Sequence, residues 1–197
     1  MEGAIKVDIG RIKEHFDLTP GNEPPLSIWI IGRPAAGKTT TAEMLQHVVR
    51  QAGYRVELVD GEVVRAIFDG KLGHSRDDRL IALDRLIHVN RFLQSHGIIP
   101  ITATIMGLRQ TREILLRDLD NARLVFLDCP FDVAADRDQK GLYAKALAGE
   151  IRNFPGVDLP FESPTRYDMR IDSAKLSPGE IVAKIVQHFQ QDGLLLP

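Results

Sequence analysis

The stretch Leu26-Ser27-Ile28-Trp29-Ile30-Ile31-Gly32-Arg33-Pro34-Ala35-Ala36-Gly37-Lys38-Thr39 joins an apolar run to a loop that matches G-x-x-x-x-G-K-[ST] in full. The run reads as a strand, and residues 38–52 that follow the loop read as a helix, which is the context this loop requires. Glycines at 32 and 37 let backbone N–H groups, through Ala35 and Ala36, converge on phosphate oxygens, and the helix N-terminus adds a favourable dipole. Lys38 supplies a point charge to the β- and γ-phosphates, Thr39 a hydroxyl for Mg²⁺, and Thr40 extends the nucleotide-binding set. The pattern therefore predicts a nucleoside-triphosphate site, with Gly32, Ala35, Ala36, Gly37, Lys38, Thr39 and Thr40 as its candidate residues.

Working outward, further apolar runs recur at residues 55–60, 98–105 and 122–128, with a weaker one at 167–172. Several are apolar at consecutive positions, the pattern of strands covered on both faces by helices. Helical spacing appears at 76–96, 109–120, 131–137 and 178–191, and Gly53 and Gly97 stand where two helices should stop. Leu80, Leu83, Ile87 and Asn90 share one face of the first of these. Strand–helix alternation predicts a three-layer α/β/α fold on a mainly parallel five-stranded sheet, in one domain over residues 26–197. Residues 1–25 read as a leader: Val7, Ile12 and Phe16 suggest a weak amphipathic helix, and Thr19-Pro20-Gly21-Asn22-Glu23-Pro24-Pro25 a linker.

The 197 residues carry 25 Lys plus Arg against 27 Asp plus Glu, a formal net charge of −2. No basic excess points to nucleic acid. Cys129 is the single cysteine, so no internal disulfide can form and a reducing compartment fits. It precedes a proline at a strand end and reads as buried rather than reactive. No signal-like start and no run long enough to span a bilayer is found, so a cytoplasmic protein without membrane contact is expected. The six histidines show no metal-ligand spacing, and only His74 lies in a plausible site loop.

The second strand ends in Asp60-Gly61-Glu62-Val63-Val64-Arg65. Ligands of doubly wound sheets bind beyond the carboxyl ends of the strands, so both carboxylates should face the phosphates. One would hold Mg²⁺ and one would accept a hydroxyl proton; the plainer alternative is a helix cap and a first-turn acid. Arg65 and Arg79 are the better anion ligands among the arginines of this region, since both sit near turns. Residues 138–164, punctuated by Gly141, Gly149, Pro155, Gly156, Pro160 and Pro164, read as a lid that keeps water from a phosphoryl group. Arg137 and Lys140 are its candidate phosphate and nucleotide contacts.

Three further segments carry a specific resemblance. Arg137-Asp138-Gln139-Lys140-Gly141-Leu142-Tyr143, Ala148-Gly149-Glu150-Ile151-Arg152-Asn153-Phe154 with Gly156-Val157-Asp158, and Leu72-Gly73-His74-Ser75 with Asp78-Arg79 resemble the signatures of the adenylylsulfate kinase family. The resemblance runs from about Leu26 to the last helix. It implies ATP at the phosphate loop with Arg137 against its adenine, and Mg²⁺ held by Thr39 and Asp60. It further implies Lys38, Asp60 and Glu62 as catalytic groups, and adenylyl sulfate as acceptor. Arg65, Arg79 and Lys140 would be acceptor ligands, with His74, Ile105, Leu142 and Phe161 completing that side, in a homodimer. The departures cluster at the acceptor. Glu62 stands for the usual Asp, His74 for Phe, Ala82 for Asn, and Thr104-Ile105-Met106-Gly107-Leu108-Arg109 for F-I-S-P-Y-R. A kinase of the same fold for another small hydroxyl compound is the alternative, and a non-catalytic nucleotide-binding domain a third. Retained Lys38, Thr39 and Asp60 speak against the third.

Overall fold

Ser27–Gly32 (β1) is buried at every one of its six positions and lies in the middle of a five-stranded sheet. The other strands are Val56–Asp60 (β2), Ile99–Thr104 (β3), Ala122–Asp128 (β4) and Met169–Asp172 (β5), in the order β2-β3-β1-β4-β5. All four pairings are parallel, and β1 registers Ile30 against Ala103 on one side and Val125 on the other. The computed structural model describes residues 25–67 and 72–195, with side chains in 61–67 given only as far as Val64. The expected leader, including the Val7, Ile12 and Phe16 helix, lies outside the described residues, as does the side chain of Arg65.

The helices among the described residues are Lys38–Gln51 (α1), Gly61–Ile67 (α2), Arg76–Ser95 (α3), Arg109–Asp118 (α4), Phe131–Asp136 (α5), Leu142–Leu147 (α6) and Pro178–Gln191 (α7). Consecutive apolar residues in β1 serve two separate cores. Ile28 and Ile30 join Leu45 and Val49 of α1 and Ile181, Ile185 and Phe189 of α7. Trp29 and Ile31 join Leu83, Leu86 and Ile87 of α3 and Leu115 of α4 on the opposite face. Each large side chain so buried contributes roughly 1.5–3 kcal/mol by leaving water. This is the three-layer arrangement the sequence predicts.

The predicted elements agree with those observed to within two residues at each end, apart from two short helices. Helix α2, seven residues long with Val63 exposed, is implied only by the alternative reading of Asp60 and Glu62 as a cap and a first-turn acid, and α6, six residues within 138–164, is not marked by any periodicity. At two turns or less, no apolar period can be read. Gly53 and Gly97 do terminate their helices with φ of 91° and 67°. Asn90, on the apolar face of α3, is fully buried, and it is satisfied: its Oδ1 accepts from Ser27 Oγ and Thr102 Oγ1, both at 2.9 Å, and its Nδ2 donates to Leu86 O at 2.8 Å. Trp29 Nε1 donates to Ser27 Oγ at 2.9 Å, which closes a polar network between α3, β1 and β3.

Because the first strand is central and its neighbours β3 and β4 lead to opposite faces, a crevice opens beyond the carboxyl ends of β1, β2 and β3.

Candidate active site

The crevice encloses about 510 Å³ and is lined at one end by Ala35, Gly37, Lys38, Thr39 and Thr40. Asp60, Glu62, His74, Arg79, Ile105, Arg137, Lys140 and Leu142 line the rest of it. Thirteen candidate residues from the phosphate loop, the ends of β2 and β3, the start of α3 and residues 137–142 therefore meet in one cleft. Gly32 and Ala36 stand behind the wall. Gly32 is packed so tightly that a Cβ would lie 2.6 Å from Leu127 O, and Ala36 is 1% exposed. Their place in the motif is set by close packing of loop against sheet.

Lys38 is buried, and its Nζ donates to Arg33 O at 2.6 Å. Burial pushes its pKa down from 10.5 to about 8, against the opposing pull of the Glu62 and Asp60 carboxylates. Asp60 is a helix cap: its Oδ1 accepts from Glu62 N at 2.7 Å and Val63 N at 3.3 Å at the start of α2. The cap and the site role are compatible, because both cap bonds go to Oδ1 and the residue still lines the cleft. Glu62, exposed on the first turn of α2, pairs with Lys140 Nζ at 3.6 Å across the cleft mouth. Two residues expected to act separately thus form a bridge between α2 and the lid.

Arg79 is half-buried; it donates through Nε to His74 O at 3.1 Å and through Nη2 to Asn153 O at 2.7 Å. It ties the loop before α3 to the lid and keeps His74 at the cleft rim. The Ser75 and Asp78 parts of the acceptor-side motif are structural. They make a capping box, with Asp78 Oδ2 accepting from Ser75 N at 3.1 Å and Asp78 N donating to Ser75 Oγ at 3.2 Å. Arg137 donates to Ser173 O at 2.8 Å and Ala174 O at 3.2 Å, which fixes its guanidinium plane at the edge of the cleft.

Within the lid, Tyr143 is 2% exposed and its hydroxyl donates to Pro34 O of the phosphate loop at 3.1 Å. Desolvation pushes its pKa up to about 12, and its ring meets Phe131 and Phe154 edge-on. Asp158 accepts from Asn153 N and Phe154 N at 2.7 and 2.6 Å, and those backbone bonds hold its carboxyl below the usual range. Phe161 is not part of the cleft wall. It lies between the Arg33 guanidinium, 4.2 Å from the ring centroid, and Phe126, at 6.5 Å between centroids. Tyr143, Asn153 and Arg33 are contacts that residue reading did not single out. The family-like lid segments contain the first two, whereas nothing in the sequence signals the third.

A smaller cavity of about 40 Å³ adjoins the cleft and shares Gly61, Arg79, Thr104 and Ile105 with it. Ala82, Met106, Gly107 and Leu108, four of the departing positions, line it. Cys129 is buried, as expected, and the described residues contain no group of three or more metal-ligating side chains.

Residues 24–172 match the family model for adenylylsulphate kinase. The chain belongs to the adenylylsulphate kinase family. The adenylyl-sulfate kinase of Chloroflexus aurantiacus is 40% identical over 158 residues, 80% of this chain and 85% of its own. That of Rippkaea orientalis is 36% identical over 170 residues, 86% and 94% respectively. Among solved structures, the APS kinase CysC of Mycobacterium tuberculosis in complex with AMPPNP and APS superposes with a TM-score of 0.78. Its identity is 29%, over 85% of this chain and 99% of that one. The adenylylsulphate kinase fold thus carries the phosphate loop and the five-stranded parallel sheet together in this chain.

Proposed function

We propose that this protein transfers the γ-phosphoryl group of ATP to the 3′-hydroxyl of adenylyl sulfate, giving ADP and 3′-phosphoadenylyl sulfate. The observation that carries the reading is the continuity of the cleft. Phosphate-loop residues line the same cleft as Glu62, His74, Arg79 and Ile105, together with Arg137, Lys140 and Leu142. A donor phosphoryl and an acceptor hydroxyl held in that one cleft would face each other in line.

In this reading Lys38 leaves Arg33 O to contact the β- and γ-phosphates, and Thr39 and Asp60 supply two hard oxygen ligands. That donor set suits Mg²⁺, which takes one or two protein oxygens and completes its shell with phosphate and water. When bound, the ion would neutralise charge on the phosphates. The new bond joins the acceptor oxygen to the γ-phosphorus while the bond to the bridging oxygen of ADP breaks. Glu62 receives the hydroxyl proton, which requires that it exchange its partner Lys140 for the acceptor. Arg65, Arg79 and Lys140 would bind the acceptor's anionic part, His74, Ile105 and Leu142 its flat part, and Arg137 the adenine of ATP. Phe161 would act from behind, through the segment it anchors. The reading extends to a cytoplasmic homodimer, which light scattering would detect as twice the mass of one chain.

A second reading, phosphorylation of another small hydroxyl compound, is favoured by one observation: Ala82, Met106, Gly107 and Leu108 line a cavity next to the acceptor end of the cleft. Coupled ADP release with adenylyl sulfate against nucleosides and sugars separates the two. Stimulation by adenylyl sulfate is expected; stimulation by another alcohol alone would move the assignment to the second reading. Lys38→Ala should lower turnover at least about a hundredfold, and unimpaired turnover would overturn both.

A further inference from the structure

We propose that Arg33 is a positioning residue that clips the returning half of the lid, residues 153–162, to the phosphate loop, so that nucleotide on the loop sets the acceptor side. The proposal rests on the kinase reading above and goes beyond it, since Arg33 has no assigned part in phosphate binding.

Arg33 follows Gly32 in the loop, where backbone N–H groups do the phosphate work and a long charged side chain is not needed. Its backbone and side chain serve different partners. The carbonyl accepts from Lys38 Nζ at 2.6 Å, so Arg33 O is the rest position of the catalytic ammonium. The side chain leaves the loop altogether and places its guanidinium carbon 4.2 Å from the Phe161 ring centroid. Gly156 approaches the same group so closely that a Cβ there would fall 2.5 Å from Arg33 Nη1, at a φ of +96°. Only glycine fits.

Arg33 Nη1 is also buried without a hydrogen-bond partner among the described residues. An orphaned buried cationic N–H is costly and rare. It is held here by a π face and a backbone and would regain water if the lid lifted, so the clip is strong enough to locate the lid without locking it.

The clipped segment reaches the acceptor side at three points. Asn153 O accepts from Arg79 Nη2, Glu162 N donates to Gly107 O at 2.8 Å, and the Glu162 carboxylate accepts from Arg109 N at the start of α4. Gly107 itself lies against the Phe161 ring, 3.2 Å from a hypothetical Cβ to Phe161 Cδ2. When a triphosphate draws Lys38 away, the Arg33 carbonyl loses its cation, and any shift of residue 33 passes directly to Phe161 and Gly156.

The test uses Arg33→Leu, which removes the cation and shortens the side chain, with Phe161→Leu as an independent lesion of the same contact. Amide hydrogen exchange of residues 153–162 is read with and without a non-hydrolysable ATP analogue. In the wild type the analogue should slow exchange there several-fold; in Arg33→Leu that response should vanish while slowing at residues 37–40 persists. In steady state, Arg33→Leu should raise the KM for adenylyl sulfate about tenfold and move the KM for ATP less than about threefold. Phe161→Leu should do the same, and the double variant should be no worse than either alone. A nucleotide response at 153–162 that survives both substitutions overturns the proposal. So does an equal loss of ATP and acceptor binding with a lowered Tm, which would mark a merely structural role. If the wild type fails to phosphorylate adenylyl sulfate, the acceptor assignment falls, while the exchange experiment still decides the role of Arg33.

Discussion

Burial holds Lys38 well below the ordinary lysine pKa, at about 8 against 10.5. As pH rises through 8, the ammonium of the free protein loses its proton and with it the attraction for phosphate. Thus kcat/KM for ATP should fall above about pH 8, approaching tenfold per unit. Bound phosphate favours the charged form, so kcat at saturating ATP should begin to fall at higher pH. The folded protein sheds this proton before the unfolded chain does. This one group therefore makes stability rise with pH between about 8 and 10.5. Initial rates across pH 6–10 at limiting and saturating ATP would read both limbs.

Asn90 is the polar counterpart of that site in the core. Asn90→Ala leaves the Ser27 and Thr102 hydroxyls without their shared acceptor and should cost about 2–3 kcal/mol, read as a lower Tm by calorimetry. An unchanged Tm would mean that the network relaxes without penalty. The helical period marks position 90 as inward-facing, but it carries no information about two hydroxyls arriving from separate strands. The phosphate-loop residues were legible because a covalent neighbourhood of eight residues specifies their chemistry. Arg33 was not, because its partners Gly156 and Phe161 are more than 120 positions away.

At the level of elements, the longer helices and the strands were readable because periodicity and terminal glycines act locally. The two short helices, α2 and α6, take their order from what they dock on. Asp60 caps one, and the packing of Tyr143 on the phosphate loop holds the other. The lid in this form is joined to the nucleotide side by Tyr143 and Arg33, and to the acceptor side by Arg79 and the Glu62–Lys140 pair. The last is the weakest, since both side chains are largely exposed and such pairs are screened by salt. Lys140→Ala should leave Tm unchanged yet raise the KM for the acceptor, and the rise should shrink as ionic strength is increased. A lowered Tm would show that the pair helps to hold the lid rather than the substrate.

For the whole molecule, the parallel order β2-β3-β1-β4-β5 gathers the strand ends on one rim, and the functional side chains follow. This explains why a chain of net charge −2 can present Lys38, Arg79, Arg137 and Lys140 to a single cleft: the balance is struck over the molecule, not at the site. The sheet, the nucleotide end and most of the lid could be inferred from the order of residues alone. The acceptor end could be inferred only in outline, because its shape depends on how the loop 104–108 meets α3 and the lid. The small cavity beside Ala82 is a property of that meeting, which no single substitution reveals.

Trp29 is the one tryptophan of the sequence and is wholly enclosed on the α3–α4 face of β1, on the far side of the sheet from α1. The protein therefore carries an optical probe of its own interior. Its emission should be blue-shifted, resist quenching by iodide, and stay constant as ATP is added. It should shift red only when the core itself opens. A ligand-dependent change in that signal would mean that the cleft and the core on the α3–α4 face do not behave as separate bodies.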